Sequence, residues 1–271
     1  RAGLVLIVAG LFKKTIADLL SRVAEAGFEG SGGQSLIETW SAVLAFAGQI
    51  YCDFAGYTDI AIGLGLMMGF SFPRNFDLPY IASSPIDFWR RWHISLSSWL
   101  RDYLYIPLGG RLSRYRNLLI TMVLGGLWHG ASYTFLIWGV YHGVLLMLAH
   151  GWREVLGERA PSLPRPVRAI LTFYLVLVGW VFFRADSIDA AWEVLARMHG
   201  STFDVAAGAH APLDLALVVT ALVLSHVLDW AVLTRRETIE RPFVLWPALV
   251  SLFAAAMLFG GTGQEFIYFR F

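Results

Sequence analysis

Long apolar stretches broken by short polar ones organise this chain. Toward the C-terminus three runs, at roughly residues 165–183, 213–233 and 242–260, approach the ~20 apolar residues that a bilayer-crossing helix needs. Residues 131–149 make a fourth. The run at 117–127 is too short to cross alone, about 16 Å at 1.5 Å per residue. It is expected to tilt, to extend backward, or to stop at mid-membrane.

The N-terminal half is less regular. Residues 3–26 read as a helix interrupted by Lys13 and Lys14, whose ammonium groups are expected to snorkel to the interface rather than line the entrance for an anionic donor. Residues 35–70 are apolar but carry Glu38, Asp53 and Asp59, with Gly48, Gly56, Gly63, Gly65 and Gly69 among them. Such a stretch reads as buried, closely packed helices around a cavity. Buried carboxylates need partners, so pairing with Lys or Arg that fixes the helix packing is expected for Asp53 and Asp59. Residues 73–85, punctuated by Pro73, Asn75, Asp77, Pro79 and Pro85, read as a loop.

Within residues 86–106, Trp89, Trp92, Leu96, Trp99, Leu100 and Tyr103 recur at spacings of three and four. They define one apolar arc. Asp87, Arg90, Arg91, Ser98, Arg101 and Asp102 fall opposite. The spacing predicts one amphipathic helix lying in or near the interface. His93 sits at the edge of the apolar arc, facing protein or a cavity, while the arginines face headgroups or an anionic ligand.

Composition sharpens this picture. The 271 residues are 57% hydrophobic and 15% charged, with a mean hydropathy of +0.59. Soluble domains average roughly 45–50% apolar and about 25% charged. The fold class expected is all-α: a multi-pass transmembrane helical bundle with interfacial and re-entrant helices. A net charge of +1 gives no sign of a nucleic-acid partner. The single cysteine, Cys52, excludes a disulfide within the chain and a thiolate zinc site. Arginine counts in the segments 151–168, 184–212, 234–241 and 261–271 run four, two, three, one. That alternation places the C-terminus outside the cytoplasm. The chain opens on Arg1 and shows no signal-peptide pattern, so residue 1 is expected not to be the native start.

The chemistry concentrates on two histidines. His129 closes Gly-Gly-Leu-Trp-His within the run Gly-Gly-Leu-Trp-His-Gly at 125–130. An ionisable group at membrane depth marks a functional site by default. A buried neutral imidazole is a base able to activate a hydroxyl, and Gly126 and Gly130 leave room for a substrate. The alternative is a buried histidine bonded to a helix carbonyl with no further role. His93, in Phe-Trp-Arg-Arg-Trp-His at 88–93, reads alone as one more interfacial ring; beside His129 it makes a two-histidine site worth considering. Two histidines without clustered carboxylates or cysteines give no case for a metal. Arg90 and Arg91 match phosphate or carboxylate, although headgroup contact explains them equally. With Trp92 and Trp128, which adjoin the histidines, they are the candidate substrate- or donor-binding residues. His142 reads as a packing histidine. No Gly-x-Ser-x-Gly, Walker loop or paired-carboxylate pattern is present.

These segments, in this order, resemble the membrane-bound O-acyltransferase family, and within it the alginate O-acetylation branch. The resemblance rests on Gln-Ile-Tyr-Cys-Asp-Phe-Ala-Gly-Tyr-Thr-Asp-Ile-Ala-Ile-Gly at 49–63, Pro-Arg-Asn-Phe-Asp-Leu-Pro-Tyr at 73–80, and the stretch at 87–110 with its Arg-Trp-His-Ile-Ser-Leu. Leu-Trp-His-Gly at 127–130 and Glu-Phe-Ile-Tyr-Phe-Arg-Phe at 265–271 complete it. It implies a helical fold around a central tunnel, with His129 the catalytic histidine and His93 the second polar site residue. It implies acetyl-CoA or another acyl thioester as donor on the cytoplasmic side and no bound cofactor. The setting implied is the bacterial inner membrane, with membrane lipids around the chain and a periplasmic or membrane-anchored acetyltransferase completing transfer. Family members run longer on the N-terminal side, so residues 1–271 are expected to be the C-terminal part of one membrane domain that lacks N-terminal spans. Two other readings stay open: D-alanyl or other acyl transfer to a teichoic acid, lipid or protein acceptor, and a proton-coupled transporter. The transporter would carry an inverted repeat, and the sequence shows no such symmetry.

Overall fold

A computed structural model describes residues 1–29, 34–157, 163–200, 208–239 and 241–259. Among them all regular structure is helical, as the apolar pattern requires. The chain clusters into two compact units, residues 1–74 with 196–271 and residues 75–195.

In the first unit, α1 (Ala2–Glu29) and α2 (Leu36–Met67) form a long antiparallel pair. Ser35 and Glu38 start α2 with a reciprocal capping box. The two helices approach backbone to backbone at glycines spaced seven apart on each. A Cβ on Gly10 would lie 2.6 Å from the Gly56 carbonyl oxygen, and one on Gly3 would lie 2.5 Å from that of Gly63. α9 (Ala211–Thr234) packs on α2, α11 (Pro242–Phe259) packs on α1, and the short α10 (Arg236–Ile239) joins them.

α1 runs unbroken through Lys13 and Lys14, and the buried Lys13 does not snorkel. Lys13 is 1% exposed and forms ion pairs with both Asp59 and Asp229. Lys14 pairs with Asp53, and the Tyr51 hydroxyl donates to Asp229. The expected pairing of Asp53 and Asp59 is therefore present. It also explains Lys13: an ammonium that two carboxylates accept has no need of the interface.

The second unit holds α3 (Pro85–Arg91), α4 (Ile94–Leu100), α5 (Arg114–His129), α6 (Tyr133–Leu156), α7 (Arg165–Arg184) and most of α8 (Ile188–Met198). Among the described residues three helices are long and apolar enough to cross a membrane: Tyr133–Val155 within α6, α7 and α9. They match three of the four expected spans. The fourth expected span is the 18-residue α11, with Pro247 inside it. α5 has 16 residues, about 24 Å at 1.5 Å per residue, so it falls short of a hydrocarbon core of about 30 Å.

Residues 86–106 are not one amphipathic helix. The backbone leaves helical geometry at Trp92 and enters the left-handed region at His93 (φ 43°), so α3 and α4 are separate; a π-helical turn then covers Arg101–Tyr105. The loop at 73–80 supplies the reason. A continuous helix would bond the Ile94 and Ser95 amides to the carbonyls of Arg90 and Arg91. Instead Ile94 N donates to the Asn75 carbonyl (2.9 Å) and Ser95 N to Asn75 Oδ1 (3.1 Å), while the Asp77 amide donates to the Arg91 carbonyl (3.0 Å). The apolar arc divides accordingly. Trp92 is buried among Phe76, Phe88 and Trp180, whereas Trp99 and Tyr103 stack on each other at the surface.

Candidate functional site

His129 is the last residue of α5, and the Gly130 amide returns to the Leu127 carbonyl (3.3 Å) to close the helix. Its imidazole is 9% exposed. Aromatic rings enclose it: Phe183 at 5.0 Å between centroids, Trp138 at 5.4 Å, Phe135 at 6.2 Å and Trp128 at 5.0 Å. Gly126 does not make room for a substrate. It makes room for α6, since a Cβ there would lie 2.4 Å from the Phe135 carbonyl oxygen. A Cβ on Gly130 would likewise meet the Phe135 ring at 2.8 Å.

His93 is also 9% exposed. Its ring meets Trp128 edge-on at 6.4 Å, so both histidines contact one indole that is itself 58% exposed. Ser95 Oγ lies 3.5 Å from His93 Nδ1, and Asn75 Oδ1 accepts from that hydroxyl at 2.6 Å. His93 lies in the break between α3 and α4, outside the spans. Burial, and after it the charge of His129 nearby, push its imidazole down to about 3. It is therefore neutral at physiological pH.

The other candidates separate. Trp128 stands between the histidines and the surface. Trp92 lies in the aromatic core against Phe76, Tyr80, Phe88 and Trp180, 2% exposed. The Arg91 guanidinium is held by Asp87 Oδ1 (2.8 Å) and the Asp77 carbonyl (3.0 Å), which locks α3 to the preceding loop. Burial works to raise the Asp87 carboxyl, but the Arg91 hydrogen bond, the Ser83 amide and the Arg91 and Arg165 charges outweigh it and hold it below the usual range. Arg90 is exposed and lines a pocket bounded by α3, α4, α5 and α6. His142 is buried between Phe88, Trp89 and Trp138, which fits the packing role read for it. Among the described residues no three His, Cys, Asp or Glu side chains gather as a metal site would.

Three residues that shape the site carry no sequence signal of that role. Asn75 fixes the turn that carries His93; an asparagine between two prolines marks a turn but not what the turn holds. Trp138 and Phe183 wall His129 from α6 and α7, and only the packing of those helices reveals it.

The comparisons with known proteins decide the family. The profile of the membrane-bound O-acyltransferase family matches residues 15–187. The chain belongs to this family. It is 50% identical over 201 residues to a probable alginate O-acetylase of Azotobacter vinelandii, covering 72% of this chain and 40% of that protein. It is 43% identical over 203 residues to a peptidoglycan O-acetyltransferase of Helicobacter pylori, covering 73% and 38%. A teichoic acid D-alanyltransferase of Bacillus subtilis is 32% identical over 150 residues, covering 49% and 38%. The matches thus span about two fifths of the length of the two O-acetylating relatives. Family membership with apolar spans makes this a multi-pass membrane protein. The motif at 265–271, Arg159 and Arg270 lie outside the described residues.

Proposed function

We propose that this chain is the histidine-bearing part of a membrane O-acetyltransferase. It moves an acetyl group from a cytoplasmic thioester, with acetyl-CoA as the donor, toward the extracytoplasmic side. There the group serves O-acetylation of an exported, alginate-like polysaccharide. The observation that carries the reading is the pair of buried histidines meeting at Trp128, with His129 at the end of a helix too short to cross a bilayer.

In this reading the His129 imidazole accepts the proton of the acceptor hydroxyl. The freed oxygen attacks the thioester carbonyl, the carbon–sulfur bond breaks, and the imidazolium returns its proton to the departing thiolate. His93 donates a hydrogen bond that orients the donor or polarises its carbonyl. The aromatic wall keeps water from the thioester. The protein sits in the bacterial inner membrane with its C-terminus outside, following the arginine counts, and a periplasmic or membrane-anchored acetyltransferase completes delivery. D-alanyl transfer is the second reading, supported by the teichoic acid relative; the higher identity to O-acetylating relatives favours acetyl.

The test supplies the purified protein with acetyl-CoA or D-alanyl thioester, each labelled in the acyl group, plus a polysaccharide acceptor. Label moving from acetyl-CoA supports the proposal. Label moving only from the D-alanyl thioester replaces it with the second reading.

A further inference from the structure

The second unit contains a cavity of about 510 Å³ that the two histidines do not line. That volume is within the range of small-molecule sites, about 300–1,000 Å³. Its floor is apolar: Ile86, Met122 and Leu146 form a buried cluster with Leu118 packed against it, and all four line the cavity. Its walls carry Arg90, Arg101, Arg111, Arg114 and His150, and no Asp or Glu lines it among the described residues.

The arginines differ in what they already hold. Arg114 pairs with Glu154 and Arg101 with the adjacent Asp102. Among the described residues neither Arg90 nor Arg111 forms an ion pair. Thr121, 7% exposed and lining the same cavity, has a hydroxyl with no hydrogen-bond partner among the described residues. Structural arginines in a membrane protein pair with acids or carbonyls; two unpaired ones lining one cavity with an orphan hydroxyl describe a receptor for an anion. The apolar floor adds that this anion carries a hydrocarbon chain.

The cavity also lies one indole from the histidine wall. Trp89 lines it and meets Trp138 at 5.7 Å between centroids, and Trp138 meets His129 at 5.4 Å.

We propose that this cavity binds the phosphate of an amphiphile, with Arg90 and Arg111 on the phosphate and Leu118, Met122 and Leu146 along its chain. Two sources share that chemistry: the headgroup of an anionic phospholipid and the phosphorylated end of a thioester donor. The lipid form stands without the acyl-transfer reading; the donor form rests on it.

The experiment reads binding, not turnover, so its failure and that of the acyl-transfer reading are distinguishable. Labelled phosphatidylglycerol and labelled coenzyme A are each titrated onto the purified protein, with phosphatidylcholine as the zwitterionic reference. The double variant Arg90→Gln/Arg111→Gln is compared with Arg168→Gln, on an exposed arginine of α7 outside the cavity. One probe is expected to bind more tightly than the reference, to weaken at least about tenfold in the double variant, and to be unchanged in the control. Arg90→Lys/Arg111→Lys keeps the charge but loses the bidentate fork and is expected to fall between. Phosphatidylglycerol responding assigns a lipid site; coenzyme A responding assigns the donor end. If neither probe exceeds the reference in the wild-type protein, or the double variant binds like the control, the proposal is overturned. The first of those outcomes needs no variant to fold.

Discussion

The two units handle buried ionisable groups in opposite ways. In the first, Asp53, Asp59 and Asp229 each meet a lysine between helices joined glycine to glycine. In the second, His93 and His129 meet aromatic rings, and four arginines gather on one cavity. Charges matched by opposite charges hold helices together. An imidazole buried among rings stays neutral, and an arginine with no acidic partner can meet an anion in the cavity it lines. A buried charge is thus a guide to function only after its partner is known. By that measure Lys13 is architecture, and His129 is the residue proposed for chemistry.

Each side of this contrast breaks in a different way. Lys13→Ala leaves two buried carboxylates with no counter-charge, and losing one partner of a buried pair costs about 3–5 kcal/mol. A large fall in thermal midpoint is expected, with turnover per folded molecule retained. Gly10→Val places a methyl-bearing Cβ against the Gly56 carbonyl and Ile60. Overpacking of this kind costs about 1–3 kcal/mol, measurable as a lower denaturation midpoint. Asn75→Ala removes the acceptor for the Ser95 amide and hydroxyl. Its stability cost is about 1–3 kcal/mol, but the contrast predicts a larger effect on activity, because the turn that carries His93 is released. A variant that loses stability and keeps full turnover per folded molecule would remove Asn75 from the site.

The smallest effect concerns pH. Asp87 titrates below its usual range in the folded protein, so its pair with Arg91 contributes fully above the ordinary carboxylate pKa. That contribution is lost as pH falls through the lowered folded value. Asp87→Asn is therefore expected to flatten the acid limb of a stability-against-pH curve slightly. An unchanged limb would show that Arg91 is held by the Asp77 carbonyl alone.

Much of this is legible in the sequence. Residue periodicity reveals α6, α7 and α9, because a 20-residue apolar run has few alternatives. The pairing of Asp53 and Asp59 follows from the cost of a buried carboxylate. What periodicity misses is whatever depends on a distant segment. The 3.6-residue pattern of 86–106 reads as one helix, yet Asn75 and Asp77 capture the hydrogen bonds that would continue it. Gly126 reads as space for a substrate, while its space is filled by α6. Lys13 reads as a snorkelling lysine because its second carboxylate, Asp229, lies more than 200 positions along the chain. The two histidines are prominent in sequence as rare groups in apolar surroundings; the shared Trp128 and the rings of Trp138 and Phe183 are products of the fold.

Whether His129 is the base of an acyl transfer or a packing residue decides the proposed function. The most direct measurement is turnover per folded molecule for His129→Ala beside the wild-type protein, with thermal midpoints taken on the same preparations. Loss of a positioned general base is expected to lower turnover by about 10²–10⁴-fold, with folded protein retained. Equal turnover in the two proteins would make the imidazole structural and contradict the account.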